Sequence, residues 1–275
     1  MTLATHSPPA RPPPRRAKDR DYISYSAIKT YQDCPLKYFF RYIAGLPEET
    51  VSASLVFGSA IHRAIEHHFQ ELLAGNPPPE LPALVEQYRA EWQERDPKLV
   101  RFGKVDDQQS LDELAQRMLG AFQKSDLSRP KGTILAVEEE LRGSVIPGIP
   151  DLLGRVDLII VTTDALVVSD WKTSRARWSR DQAEDSAEQL LLYTELARDF
   201  APGKQLRIEF TVLTKTKEVT VEQHGLGVDP ARVDRTKRVI ERVWDAIQAQ
   251  HFYPAPSITG CAGCPFHEPC RNWRG

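Results

Sequence analysis

Two aspartates and a lysine stand out in the stretch GRVDLIIVTTDALVVSDWKT, as Asp157, Asp170 and Lys172. The stretch reads as two apolar strands joined by a tight turn at residues 162–165. Side chains alternate along a strand, so Asp170 and Lys172 project from one face. An antiparallel hairpin can return Asp157 to their side. Two carboxylates and a lysine converging at a sheet end suit a divalent metal and an activated water. Hard oxygen ligands favour magnesium or manganese over zinc. Such a metal offsets phosphate charge and lowers the pKa of bound water, while the lysine orients that water or stabilises developing charge. The plain alternative is that these charges only flank a buried hairpin, since Asp and Lys are common at strand ends.

A second set of reactive side chains lies far from the first. Cys261, Cys264 and Cys270 fall within CAGCPFHEPC, and Cys34 is near the opposite end of the 275 residues. A zinc site could use the three with either Cys34 or His267. A [4Fe–4S] cluster would use all four cysteines. The first residues, MTLATHSPPARPPPRRAKDR, show no apolar stretch behind their basic residues and so no secretory signal. No apolar run approaches the roughly 18 residues that span a bilayer, so no membrane partner is expected. A reducing, cytoplasmic compartment follows as the expectation, in which clustered cysteines serve a metal or cluster better than a disulfide.

The elements that must position these groups follow from periodicity. Residues 1–20 are rich in proline and arginine and read as a disordered basic arm. YISYSAIKTYQDCPLKYFFRYIAGL predicts two short helices broken at Cys34-Pro35, with Ser24 or Ser26 capping the first. Its many aromatic residues read mostly as core. SLVFGSAIHRAIEHHFQELLAG predicts a helix that stops at Gly75. Residues 76–82 form a proline-rich loop, and residues 83–126 predict two polar helices. The period then changes, with GTILAVEEELRG, LLGRVDLIIVT and ALVVSDWKT predicting strands. A helix over SAEQLLLYTELARDF follows, then a hairpin around Lys215 built from QLRIEFTVLT and KEVTVEQH. A long helix starting near Pro230 completes the pattern. Together these predict an α/β domain with a mixed central sheet flanked by helices. Charge is balanced, with 36 Lys and Arg against 38 Asp and Glu, and points to no particular partner.

GRVDLI followed by VVSDWKT resembles the catalytic hairpin of the PD-(D/E)xK nuclease superfamily, and in particular its RecB-like branch. That branch adds a helix with Q-x-x-x-Y, matched by Gln189 and Tyr193 on one helix face. It also has an upstream G-x-x-x-H, matched by Gly58 and His62 in GSAIH. The resemblance runs from about residue 22 to the C-terminus and implies a restriction-endonuclease-like core. It implies that Asp157 and Asp170 bind magnesium or manganese, with Lys172 assisting the attacking water. His62 would complete the metal site or contact the scissile region, and the Trp171 carbonyl could reach the metal. Gln189 is expected to position the lysine, and Tyr193 to touch DNA or brace the site. Glu138, Glu139 or Glu140 could add a carboxylate. Asp151, in a literal Pro-Asp pair, reads as a turn residue instead. Some members of the branch, including the AddB subunit and CRISPR-associated exonucleases, carry one cysteine before the core and three after it as C-x2-C-x5-C. That layout favours a [4Fe–4S] cluster on Cys34, Cys261, Cys264 and Cys270, which would pin the tail against the N-terminal helices.

The organisation expected is therefore a single nuclease domain over residues 21–275, with a helical insertion at 76–130 and a cysteine-rich tail at 255–275. Its expected substrate is DNA, as single strands or ends, processed by an exonuclease in recombination or repair, with a helicase or other DNA-processing protein as the expected partner. Arg175, Arg177 and Arg180, interleaved with Trp178, could bind a nucleic-acid backbone and stack on a base. Such charge runs are more often solvated faces, and so is the basic face of the last long helix. His67 and His68 read as surface residues. Gly58 reads as a point of close backbone approach. Two rivals stand beside the nuclease: a DNA-binding module of the same fold that does not cut, and a redox sensor using the cluster. The intact Asp157, Asp170 and Lys172 argue against the first. The absence of a flavin or nicotinamide motif argues against the second.

Overall fold

The computed structural model describes residues 21–48, 50–104 and 106–274, and the expected N-terminal arm lies outside them. In chain order the elements begin with β1 (Tyr22–Ile23), α1 (Tyr25–Asp33) and α2 (Pro35–Tyr38), which continues as a π-helical turn, Phe39–Ile43. Next come β2 (Val51–Ser52), α3 (Ala53–Leu73), α4 (Leu81–Gln93), β3 (Val100–Arg101) and α5 (Gln108–Lys124). The sheet strands β4 (Thr133–Gly143), β5 (Asp151–Val161) and β6 (Ala165–Ser174) follow. Then come α6 (Arg180–Asp185), α7 (Glu188–Ala197), β7 (Gln205–Thr214), β8 (Val221–Gly227) and α8 (Pro230–Gln248). Two short helices, α9 (Ile258–Ala262) and α10 (His267–Arg271), carry the cysteine-rich tail.

Local chemistry sets the boundaries. Ser24 caps α1, its hydroxyl accepting the Ala27 N–H at 3.3 Å, which decides between the two expected serines. Pro35 occupies the first turn of α2, where a missing N–H costs nothing. Asp229 caps α8 with Pro230 just inside it. Gly75 takes a positive φ of 79° beyond the end of α3, a conformation that glycine adopts without strain.

The strands form a mixed sheet. β4 and β6 both pair antiparallel with β5, β7 runs parallel to β6, and β8 pairs antiparallel with β7. β1 adds a short parallel pairing at the start of β5, Tyr22 opposite Asp151. Asp151 is therefore the first residue of a strand and not of a turn. Its carboxylate takes a 3.1 Å hydrogen bond from Arg142 on β4. One sheet face packs against α1, α7 and α8 through residues such as Ile28, Leu191, Phe210 and Trp244. The other packs against α3, α4 and α5 through Ile61, Tyr88, Phe122 and Trp171. This is the mixed α/β architecture that the residue pattern predicts. β1, the β2–β3 bridge, α6 and the tail helices α9 and α10 escaped that pattern, each too short to show a period.

His68 belongs to this core and not to the surface. It is 1% exposed, its ring lies edge-on to Phe69 and Phe122, and its Nε2 is 2.8 Å from the Ser128 carbonyl. Burial lowers its pKa.

Candidate active site

The ladder between β5 and β6 is short, running from Leu158–Ser169 to Val161–Leu166. Asp157 and Asp170 are the next residues on each strand, where the strands part. The Asp157 carboxylate fills the gap by accepting the Trp171 N–H at 2.7 Å. Trp171 is itself locked in place. Its ring stacks on Phe69 of α3 with centroids 5.3 Å apart, and only 1% of it is exposed.

β4 and β5 share a kink at the same level. In a regular strand Val156 and Leu158 face the same way. Here Val156 joins the core beneath α7 while Leu158 joins the core beneath α3. Opposite them Glu139 pairs with Val156 and Val137 with Leu158, which leaves Glu138 facing Asp157. Glu138 has a φ of 51°, a left-handed conformation that is rare without glycine and marks local strain. The kink turns Glu138 inward, whereas Glu139 and Glu140 are exposed. Among the three glutamates left open by the sequence, Glu138 is the one at the site.

His62, on α3, completes this group. Its Nδ1 is 3.4 Å from Asp157 Oδ2, and its ring is hydrogen-bonded to the Trp171 backbone. One ligand atom from each of His62, Glu138 and Asp157 lies within 4.8 Å of the others. Asp170 stands beside this trio. The Lys172 ammonium is 2.8 Å from its Oδ1 and 2.6 Å from its Oδ2 but hydrogen-bonds only to Oδ1. Oδ2 is buried without a hydrogen-bond partner. A buried carboxylate held by one ammonium, next to two further carboxylates and an imidazole, is a donor set that fits a hard divalent cation.

The electrostatics fit the same cation. Burial raises the pKa of Asp157 well above the ordinary carboxylate range, and the neighbouring Asp170 raises it further. Glu138 is pushed up to about 7 by burial, then by Asp157 and Glu66. His62 is lowered by burial despite the pull of Asp170. Burial also opposes the charge on Lys172. The charge and hydrogen bond of Asp170, with Asp157 behind it, outweigh that and raise its pKa. Crowded carboxylates held partly as acids are what a bound cation would relieve.

These groups open onto a cleft of about 1070 Å³, lined by α3 and α4, by the middle of β4 and β5 and by the end of β6. Gln87 and Glu91 of α4, with Arg95 just beyond its end, form one wall, so a segment outside the diagnostic motifs helps to build the site. His67 also lines it.

Other expected residues fall in supporting places. Tyr193 is only 4% exposed and lies against Gly154, where an added Cβ would come within 2.3 Å of its ring. That contact explains the glycine in GRVD. Buried there, Tyr193 braces β5 and does not present its ring to a ligand. Gln189 donates to the Tyr193 hydroxyl at 3.2 Å, while the Lys172 ammonium is held by Asp170. Gly58 lines the cleft, yet a Cβ there would meet Thr173 at 3.6 Å, an ordinary contact, so close approach does not demand it. Trp178 packs on Phe210 and His224 with centroids 5.4 and 6.3 Å away, which engages the ring expected to stack on a base. Arg177 pairs with Glu222 and Arg180 with Glu184, and Arg175 is exposed.

Cys34, Cys264 and Cys270 border one apolar knot of Leu36, Phe40 and Phe266, and Cys261 is exposed. Burial, then the charges of Cys34, Cys264 and Cys261, raise the pKa of Cys270. Among the described residues, no three cysteine sulfurs come within 4.8 Å of one another. Tetrahedral zinc with bonds near 2.3 Å would hold its sulfurs ~3.8 Å apart.

The sequence profile of the PD-(D/E)XK nuclease superfamily matches residues 22–271. The chain belongs to that superfamily, a class of nucleases that use divalent metals. No curated protein matches it. A crystal structure titled "Putative exonuclease", from Eubacterium rectale, is similar over 100% of this chain and 94% of its own, with a TM-score of 0.56 and 13% identity. That likeness shows the fold. A solved structure of SSO0001 covers 88% of this chain and 92% of its own at 16% identity, with a TM-score of 0.33.

Proposed function

We propose that the chain is a metal-dependent deoxyribonuclease of the RecB-like branch, acting as an exonuclease on single strands or ends. The observation that carries this reading is the convergence of His62, Glu138 and Asp157 beside the Lys172–Asp170 pair, at the mouth of one cleft. His62, Glu138 and Asp157 would hold magnesium or manganese, with Asp170 Oδ2 adjacent. The bound metal would offset phosphate charge and acidify a water. Hydrolysis adds that water across one P–O bond of the backbone. Asp170 raises the Lys172 pKa, which favours a role by charge and hydrogen bonding at the developing oxyanion. Asp170 holds the ammonium in place, and Tyr193 and Gln189 stiffen the strand beneath.

The exonuclease reading and a place in recombination or repair, alongside a helicase and in the cytoplasm, rest on the RecB-like motifs. The fold neighbour's printed title agrees with them. Residues 21–275 act as one nuclease unit, in which 76–130 is an insertion that walls the cleft. The four cysteines hold a [4Fe–4S] cluster that staples the tail. Three thiols bordering one apolar knot support a shared group there, and the choice of a cluster rests on the family layout of the four cysteines.

The test is nucleotide release from end-labelled DNA with magnesium or manganese, and with both metals chelated. Release that depends on the metal supports the reading. A chain that binds DNA and never cuts it is the non-cleaving module of the same fold.

A further inference from the structure

Lys215 follows directly on β7, where its N–H donates to the Ser174 carbonyl at 2.6 Å and so extends the parallel β6–β7 ladder. Its ammonium lines the same cleft as Lys172, lies 4.8 Å from the centre of the Phe57 ring and is 3.2 Å from the Ser54 hydroxyl. Most basic residues near the site already have a carboxylate. Lys172 pairs with Asp170, Arg63 with Glu91 and Glu94, Arg95 with Glu91, and Arg155 with Glu138. Among the described residues, no carboxylate is within 4.0 Å of Lys215.

A half-buried ammonium with no carboxylate partner is costly unless something else supplies the anion. Burial and the nearby Arg175 lower its pKa, against a smaller opposing pull from Asp106, which is too far away to form an ion pair. The Ser54 hydroxyl beside it, and those of Ser52, Ser59 and Thr173 elsewhere along the cleft, can donate to an oxyanion. Lys172 pairs with Val212 in the parallel ladder, three residues before Lys215. At ~3.3 Å per residue and ~4.8 Å between strands, the two backbones are ~11 Å apart. That is the scale of about one or two nucleotides along a strand.

We propose that Lys215, with Ser54, binds a backbone phosphate next to the scissile one and so sets the position of the DNA strand in the cleft. The proposal rests on the nuclease reading for its ligand and adds to it a substrate contact outside the motif residues. One strand phosphate, held beyond the metal ligands, would fix which P–O bond reaches Asp157, Asp170 and Lys172.

The test uses the full chain with a fluorescent single-stranded oligonucleotide, measuring affinity by anisotropy over a range of salt and, in parallel, kcat and KM with manganese. Lys215→Gln and Lys215→Met remove the charge, and Lys215→Met keeps an apolar stem on Phe57. Both variants should bind about ten-fold more weakly at low salt, and their salt slope should fall by about 0.7. KM should rise while kcat stays within about two-fold, and Lys215→Arg should stay near wild type. Unchanged affinity and salt slope in both neutral variants, with the wild type cutting DNA, would overturn the proposal and leave the nuclease reading standing. A wild type that neither binds nor cuts DNA overturns both.

Discussion

Glu138 shows how much a single residue depends on its backbone. Held as an acid up to about pH 7 when folded, it loses its proton near 4.5 in an unfolded chain. Between those values the folded state binds more protons, so this contribution is complete below about 4.5 and is lost as pH rises through about 7. The loss amounts to at most about 3 kcal/mol. His62 and His68, lowered by burial, act in the opposite sense, and the comparison with Glu138→Gln reads the carboxyl together with its pull on His62. In chelator, the wild type should lose thermal stability relative to Glu138→Gln as pH goes from 5 to 7.5. Added manganese should restore it most at the upper end. Parallel pH profiles for the two proteins would refute the placement of Glu138. Asp157, Asp170 and Lys172 were legible from type and spacing, and His62 through the family resemblance of GSAIH. Glu138 was not, because three consecutive glutamates on a strand carry no phase once the strand kinks. Lys215 escaped as well, since a lone lysine at a hairpin looks solvated until Phe57 and the cleft are seen around it.

At the scale of elements, the hairpin was readable because β5 and β6 are long apolar runs broken by charge. Their divergence beyond Leu158–Ser169 was not, since periodicity says nothing of where a ladder ends. α7 holds that divergence in place through Tyr193 against Gly154. Gly154→Ala would push a methyl into the ring and should cost about 1–3 kcal/mol. Paired with Tyr193→Leu, the same change should cost much less, because the two positions share one contact. Chemical denaturation of the four proteins in this cycle measures the coupling. Additive costs would show that the glycine serves some other purpose. Trp178 makes a complementary point. A tryptophan among arginines suggests a stacking surface, but apolar area closes onto Phe210 wherever a core is within reach.

Across the molecule, the first helices among the described residues meet the C-terminal segment. Phe252 packs against Tyr31, Tyr38 and Phe39, the Leu36 N–H donates to the Tyr253 carbonyl, and Phe40 meets Phe266. The spacing of the cysteines suggested such a clasp, and aromatic packing supplies one that needs no metal. Protein purified without oxygen should carry iron and sulfide, and Cys270→Ala should lose both and melt at a lower temperature. Stoichiometric zinc without iron would overturn the cluster. The helices between residues 76 and 130 were legible as helices, but their part in walling the cleft depends on tertiary contacts that no local pattern encodes.

The central claim is that the kinked strands gather carboxylates for metal-dependent cleavage of DNA. Its most direct test is the rate of nucleotide release from end-labelled single-stranded DNA with manganese, in wild type and in Asp157→Asn, each checked for an unchanged thermal midpoint. The account predicts a fall of at least about 1000-fold, or ~4 kcal/mol of transition-state stabilisation. A folded Asp157→Asn that cuts within ten-fold of the wild-type rate would contradict it.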